Sequence, residues 1–403
     1  MTAPLDGIRV IDWTHVLAGP ACAYYLGLLG AEVIKVERPG RGDAMRHRGG
    51  TDKARAAAGM STAYMTQSAG KHSVALDLST KMGRDVFDRL LRSADILVEN
   101  HRPDTLARLG LSEAETRAIN PRLIHCAMTG YGRSNDMSGA PAYDVNIQAI
   151  SGLMALTGTK DTGPLRTGAP IIDYATGLTA ALATVSALMR RQNTGEGAFV
   201  DVSMLETAFS LMSSTLTDFQ LTGTEPKARG NAANSRSPSS GVFDCKVGQI
   251  SLGVNEDAQF HALAHAVDRT DWLTDARFSN AVARDQNGAA LGQDIADVLQ
   301  TRSADDWEQR LMAAGVPCAR LRTLAQALDL PPAIQRNMPK RGAAGFTGLP
   351  FLMDGMHVPA DALPPRTLGT DTNSILNALG YSEQQIAALA NAGAIHAPDQ
   401  QNA

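Results

Sequence analysis

The segment Ile171-Ile172-Asp173-Tyr174-Ala175-Thr176-Gly177-Leu178 sets an aspartate at the head of a long helical stretch. A helix N-terminus stabilises a negative charge and keeps a carboxylate ionised. An ionised carboxylate in that place can attack an acyl carbon. The same position suits a plain helix N-cap, for which Asp is a favoured residue, and the two readings are compatible. Other chemistries lack their motifs. The loop after Asp12 holds only Gly19, where a GxGxxG dinucleotide fingerprint would need three glycines. No glycine stands five residues before Gly70-Lys71, so that pair is not a P-loop. There is no GxSxG for a serine hydrolase and no HExxH for a zinc hydrolase. Cys22, Cys126, Cys245 and Cys318 are far apart and make neither a CxxC pair nor a zinc spacing. They read as reduced thiols, with no bound metal expected.

The elements that must position these residues begin with a βαβ unit. Ile8-Arg9-Val10-Ile11 is a β-branched run, Ala21 to Leu29 is helix-forming after Pro20, and Glu32-Val33-Ile34-Lys35-Val36 is a second strand. Pro suits a first helical turn and Gly30 suits a C-terminal cap. The alternation continues with strands at Val74-Ala75-Leu76-Asp77, Ile96-Leu97-Val98 and Leu123 to Met128. Between them, Met82, Val86, Leu90 and Leu91 have helical spacing, and Ser112 with Glu115 has capping-box spacing. This alternation predicts an open, doubly wound α/β domain. Helices are expected over 144–156, 176–191 and 205–221, with a strand at Phe199-Val200-Asp201-Val202. Residues 222–241 lose periodicity and read as a linker or ligand-facing loop. A hairpin (242–244 and 249–252) followed by helices opens a second domain. The tail from about Asp371 to Ala394 is helical again.

The chain has 403 residues, 44% hydrophobic and 19% charged, with a net charge of −4. Length alone suggests two or three domains. The charge argues against a nucleic-acid footprint or a polybasic membrane patch. A local group of arginines can still bind an anionic ligand. No uninterrupted run of eighteen apolar residues and no secretory signal is read, so a cytoplasmic protein is expected.

The order and spacing of several segments resemble the family III CoA-transferases. This group includes formyl-CoA transferase, the carnitine CoA-transferases and the α-methylacyl-CoA racemases. The segments are Leu5-Asp6-Gly7-Ile8-Arg9-Val10-Ile11-Asp12, His15 to Pro20, Leu29 to Pro39, Gly42-Asp43, Val98-Glu99-Asn100, Leu109-Gly110-Leu111, Asn120 to Ile124, Gly130-Tyr131-Gly132, Tyr143-Asp144, Gln148-Ala149 and Ser151-Gly152. The resemblance implies an α/β fold. A large Rossmann-like open parallel-sheet domain would comprise residues 1–223, and a smaller α+β domain 224–330. The C-terminal segment 331–403 would return to the large domain. It further implies an interlocked homodimer, its active site between the large domain of one chain and the small domain of the other, with no nucleic-acid or membrane partner.

The resemblance makes Asp173 the nucleophile. Coenzyme A, carried as an acyl-CoA substrate, would be held by Arg38 at its nucleotide end and by Asn100 and Arg108. Val16, Leu76, Thr105 and Leu109 would line the groove. Read without the resemblance, Arg108 is a solvated helix position, and Val16 and Leu76 are ordinary core. Three departures narrow the reaction. Leu17 replaces the glutamine of the formyl-CoA enzymes, and Arg236-Ser237-Pro238-Ser239-Ser240-Gly241 replaces their glycine run. Tyr143-Asp144 stands where racemases carry a His-Asp pair, which removes one of two acid/base groups. The pattern looks most like the branch that moves CoA between succinate and other dicarboxylic acids. A second carboxylate needs an anchor, and Arg46, Arg48 and Arg166 are candidates. His15 and Tyr143 are further substrate candidates. The competing readings are an acyl-CoA racemase and a catalytically idle CoA-binding protein.

Overall fold

A computed structural model describes residues 3–232, 237–336, 346–355 and 363–396. The chain divides into two units. The first comprises Met1–Leu153, Arg166–Thr224 and Gly342–Ala403; the second comprises Met154–Leu165 and Glu225–Arg341. Residues 154–165 thus group with the second unit, although the sequence pattern assigned them to the first.

The first unit is built on strands β1 (Arg9–Trp13), β2 (Glu32–Glu37), β3 (His72–Leu76), β4 (Ile96–Glu99), β5 (Ile124–Thr129) and β6 (Ala198–Ser203). They lie in the order β3-β2-β1-β4-β5-β6 and pair in parallel. Parallel strands buried on both faces need near-continuous apolar runs, which these sequences supply. Successive side chains alternate between two cores. Ile11, Ile34, Val36, Val74 and Leu97 join Phe87, Leu90 and Leu91 on one face. Val10, Val33, Ile96, Val98 and Cys126 join Cys22, Leu26, Ala180 and Leu188 on the other. The strand order reverses between β1 and β4, where Trp13 pairs with Glu99. In open α/β sheets the ligand crevice lies beyond the carboxyl ends of the strands at such a reversal.

The second unit holds β7 (Ser240–Asp244), β8 (Gln249–Gly253) and β9 (Cys318–Arg320) in an antiparallel sheet. Helices cover it around Phe260, Trp272, Phe278 and Trp307. The expected hairpin is β7–β8. The strand β9 was not legible, because three residues carry too little alternation. The sequence also hides β10 (Ile395–His396), an antiparallel edge that ties the tail to β3.

Three expected helices differ in extent. The 144–156 stretch breaks at Gly152, whose φ of +87° no helix accepts. The 205–221 stretch is two helices, Met204–Leu211 and Ser213–Thr222. The helix expected at 176–191 spans Ile171–Thr194, so Asp173 sits inside its first turn. By length and composition this helix could cross a membrane, with a mean hydropathy of 1.4. Instead it packs against the helix Ala18–Leu28 and against β6.

Candidate active site

The loop after β1 is fixed from below by buried charge. Asp12, fully buried, accepts from Lys71 Nζ at 2.7 Å and from the Thr14 hydroxyl at 2.5 Å. Burial alone would raise its pKa, but the ammoniums of Lys35 and Lys71 hold it below the usual carboxylate value. Lys35 Nζ donates to the Thr14 carbonyl at 3.0 Å and lies 3.3 Å from Asp43. Asp43 Oδ1 in turn accepts from the Val16 N–H at 3.3 Å and the Met45 N–H at 2.9 Å. From the neighbouring strand end, Asn100 clamps His15 through both backbone groups, at 2.9 and 2.8 Å. These anchors hold Val16 at φ +69°. A β-branched residue there stores roughly 1–3 kcal/mol of strain, which persists only where the surroundings over-determine the backbone.

Two adjoining cavities open at this reversal point. A cleft of about 460 Å³ runs past Asn100, His101, Arg102, Thr105 and Arg108. A smaller pocket of about 90 Å³ is lined by His15, Val16, Leu17, Met128, Tyr143, Asp173 and Met204. His15, Asn100, Thr129, Gly130 and Tyr143 line both. The larger one falls within the size range of ligand sites. His15 keeps an exposed surface, yet the protein rings it closely enough to lower its pKa, with Lys35 adding to that. Half-buried against Trp13, His101 is pushed down to about 3, first by desolvation and then by His15, and stays neutral.

Asp173 does not cap its helix. Pro170 is the N-cap and makes no side-chain bond. The helix N–H groups of Ile172 and Asp173 are taken by the Asp144 carboxylate, at 2.8 and 3.2 Å. Among the described residues no hydrogen bond reaches the Asp173 carboxylate. Burial, and then the charge of Asp144, raise its pKa to about 7. An aspartate so poised is half ionised near neutrality and more basic than a solvated one, which favours attack on an acyl carbon.

The structure therefore brings together Asp173, His15, Val16, Asn100 and Tyr143 in the pocket, with Thr105 and Arg108 along the cleft. Arg38 is exposed just after β2, near Asp77, whose carboxyl is held down first by hydrogen bonds from Ser79 and last by the Arg38 charge. Leu76 is buried in the core beneath the sheet, where its strand alternation places it, and lines neither cavity. Leu109 packs half-buried on the same core. Arg46 is not available as a carboxylate anchor. It is buried, forks onto Glu37 at 2.6 and 2.8 Å, and covers the Tyr64 ring. Arg48 and Arg166 are exposed and line neither cavity. Arg236 lies outside the described residues. Sequence reasoning missed His101, Arg102, Met128 and Thr129, and named Asp144 only in the Tyr143-Asp144 motif. The first four immediately follow or end β4 and β5, a position that itself signals the crevice.

A doubly wound sheet with a basic, hydroxyl-bearing cleft and a poised carboxylate at its reversal point defines an α/β enzyme class able to hold an anionic carrier and attack its cargo. The chain belongs to CoA-transferase family III, whose family model matches residues 5–372. It is 30% identical to succinyl-CoA:glutarate CoA-transferase of Homo sapiens, over 97% of this chain and 90% of that protein. It is 35% identical to acetyl-CoA:oxalate CoA-transferase of Acetobacter aceti, over 88% of this chain and 90% of that protein. Its structure is similar to that of a CAIB/BAIF family protein from Brucella suis, with a TM-score of 0.83 and 29% identity, covering 94% of this chain and 100% of that one.

Proposed function

We propose that the protein moves CoA from an acyl-CoA, with succinyl-CoA as donor, to a dicarboxylic acid, using Asp173 as the covalent carrier. The observation that carries this reading is the Asp173 carboxylate, free of hydrogen bonds among the described residues and raised to about 7, in a pocket adjoining the cleft. An Asp173 oxygen attacks the acyl carbonyl, the C–S bond breaks, and CoA leaves as a thiolate, giving a mixed anhydride. The thiolate then attacks the aspartyl carbonyl and displaces the donor acid as its carboxylate, leaving an aspartyl-CoA thioester. An oxygen of the acceptor carboxylate attacks that thioester and releases the thiolate. The thiolate finally attacks the acceptor's acyl carbon and returns Asp173 as a carboxylate. Every step exchanges one activated acyl bond for another, so exclusion of water decides yield.

The dicarboxylate reading draws support from the relatives named for glutarate and oxalate. With Arg46 committed to Glu37, the proposed anchors left are the exposed Arg48 and Arg166, which would have to reach the acceptor from outside both cavities. Along the cleft, Arg108, Thr105 and Asn100 would meet the CoA, with Arg38 at the nucleotide end. A homodimer is proposed on the exposed row Leu178, Leu182 and Met189 on one face of the Ile171–Thr194 helix. A cytoplasmic setting suits four cysteines that are all unpaired thiols.

Incubation with succinyl-CoA and quenching with hydroxylamine should leave a hydroxamate on the peptide that carries Asp173, read by mass spectrometry. Turnover without that mark on Asp173 would remove the proposed mechanism. Arg108→Ala should raise KM for the acyl-CoA about tenfold with kcat little changed, the loss of a charge-assisted contact made in ground and transition states alike. An equal fall in kcat would place Arg108 in the chemistry instead. In deuterated water without an acceptor acid, no deuterium should enter the acyl α-position; uptake would favour the racemase reading.

A further inference from the structure

We propose that Asp144 is the positioning residue of the acyl-transfer site: its carboxylate fixes the helix start that presents Asp173, claims the helix N–H groups, and sets its own charge against the nucleophile. The inference rests on the reading of Asp173 as nucleophile and adds a residue to it. Asp144 begins the helix Asp144–Ile150 and is 6% exposed. One oxygen accepts from Ile172 and Asp173 N–H, 28 and 29 residues further along the chain. The other accepts from Gln148 Nε2 at 2.6 Å. Gln148, fully buried, also binds Thr167 through its N–H and its hydroxyl, at 2.9 and 3.0 Å. The approach to the Asp173 helix is thus bolted to Asp144 at two places.

The remaining N-terminal donors of that helix are also occupied. Ile171 N–H bonds the Ala169 carbonyl at 2.8 Å, and Tyr174 N–H bonds the Pro170 carbonyl at 3.3 Å. An aspartate in a first helical turn would ordinarily draw on those donors and on the dipole, becoming a weaker base. Here Asp144 has taken the donors and adds repulsion. Repulsion between the two carboxylates is relieved whenever Asp173 is esterified, because the anhydride and the thioester carry no charge at that residue. Asp144 therefore destabilises the resting nucleophile relative to its acylated forms.

The other groups that face Asp173 are few. His15 comes from the loop after β1, Tyr143 precedes Asp144, and Tyr174 follows Asp173 on its own helix. From β5, Met128 shares the pocket lining, while His125 alternates to the other sheet face. The side chain of His125 is buried and bonds Thr116. Asp201 on β6 accepts from the Arg133 backbone, and Glu206 on the Met204–Leu211 helix is exposed outside the pocket lining. Asp144 is the one carboxylate among them in contact with the Asp173 backbone.

Asp144→Asn and Asp144→Ser both keep an oxygen able to cap N–H groups while removing the charge. In either variant the acid limb of the kcat/KM pH profile should move to lower pH, the part of the shift due to burial remaining. The plateau rate should fall several-fold, as expected of a less basic nucleophile. A purely structural role predicts lower thermal stability with the acid limb unmoved, and that result in a folded variant would overturn the proposal. Hydroxylamine trapping on the wild-type enzyme separates the two levels. A hydroxamate at Asp173 with an unmoved limb rejects Asp144 alone, whereas no hydroxamate at Asp173 rejects the underlying reading.

Discussion

Asp173→Asn is expected to lower kcat by three orders of magnitude or more and, at the same time, to stabilise the protein at alkaline pH. The first effect follows from the proposed chemistry: an amide cannot form the anhydride, and binding alone leaves only residual catalysis. The second follows from where the carboxyl sits. Burial, reinforced by Asp144, raises Asp173 from the ordinary value of 3.8 to about 7. A carboxyl raised on folding penalises the folded state wherever it must ionise. Below pH 4 it is protonated in both states and the penalty vanishes. Between pH 4 and 7 the penalty grows, and above pH 7 it is complete. The substituted amide never ionises, so the variant's melting temperature should exceed that of the wild type at pH 8 and converge with it at pH 4. A gain of a few kcal/mol at pH 8 is the expected scale. Thermal scans at the two pH values and steady-state assays with succinyl-CoA check both halves. An idle binding protein would show the stability change with no activity to lose. A variant less stable at pH 8 would mean that Asp173 is held by contacts absent from this structure.

The pairing of a stability gain with an activity loss bears on what was legible beforehand. The strands were legible, because Val10-Ile11, Val33-Ile34 and Ile96 to Val98 must be apolar on both faces of a parallel sheet, Lys35 being the buried charge that interrupts β2. Asp173 was visible at a helix start, and its resemblance to a known nucleophile followed from neighbours in the sequence. Its freedom from hydrogen bonds was not visible. That depends on Asp144, which reaches it from a different helix, and no periodicity links positions 28 or 29 residues apart. Arg46 misled for the same reason. An arginine in a polar stretch looks available until Glu37 and Tyr64, on a strand and a helix elsewhere, are folded against it. Leu76 followed the rule of alternation: although it ends β3, it points into the core with Val74.

Lys71→Met is expected to destabilise the protein by about 3 kcal/mol, the low end of the cost of breaking a buried pair, because Lys35 Nζ stays 3.8 Å from Asp12. Lys71 Nζ lies 2.7 Å from Asp12 and 2.8 Å from the Pro20 carbonyl, and the side chain is buried. The two partners gain unequally. Asp12 is drawn down by two ammoniums, whereas burial, with Lys35 adding repulsion, lowers Lys71 below its usual value despite Asp12. The pair is therefore a poor source of net stability and a large liability when broken. Asp12→Asn/Lys71→Met should recover at least half of the loss, since no full charge is then left without its partner there. Denaturant titrations of the wild type, both single variants and the double variant give the coupling energy; strictly additive losses would sink the argument. Activity gives a second reading of the same pair. Asp12 also accepts from the Thr14 hydroxyl, and Thr14 sits directly against Gly19, where a Cβ would come within 2.5 Å of the Thr14 Cβ. The loop that holds Val16 at its strained φ and walls the Asp173 pocket thus hangs from Asp12. Lys71 itself lines neither cavity. In Lys71→Met protein assayed well below its melting point, kcat should still fall, while KM for the acyl-CoA, set along the neighbouring cleft, should change less.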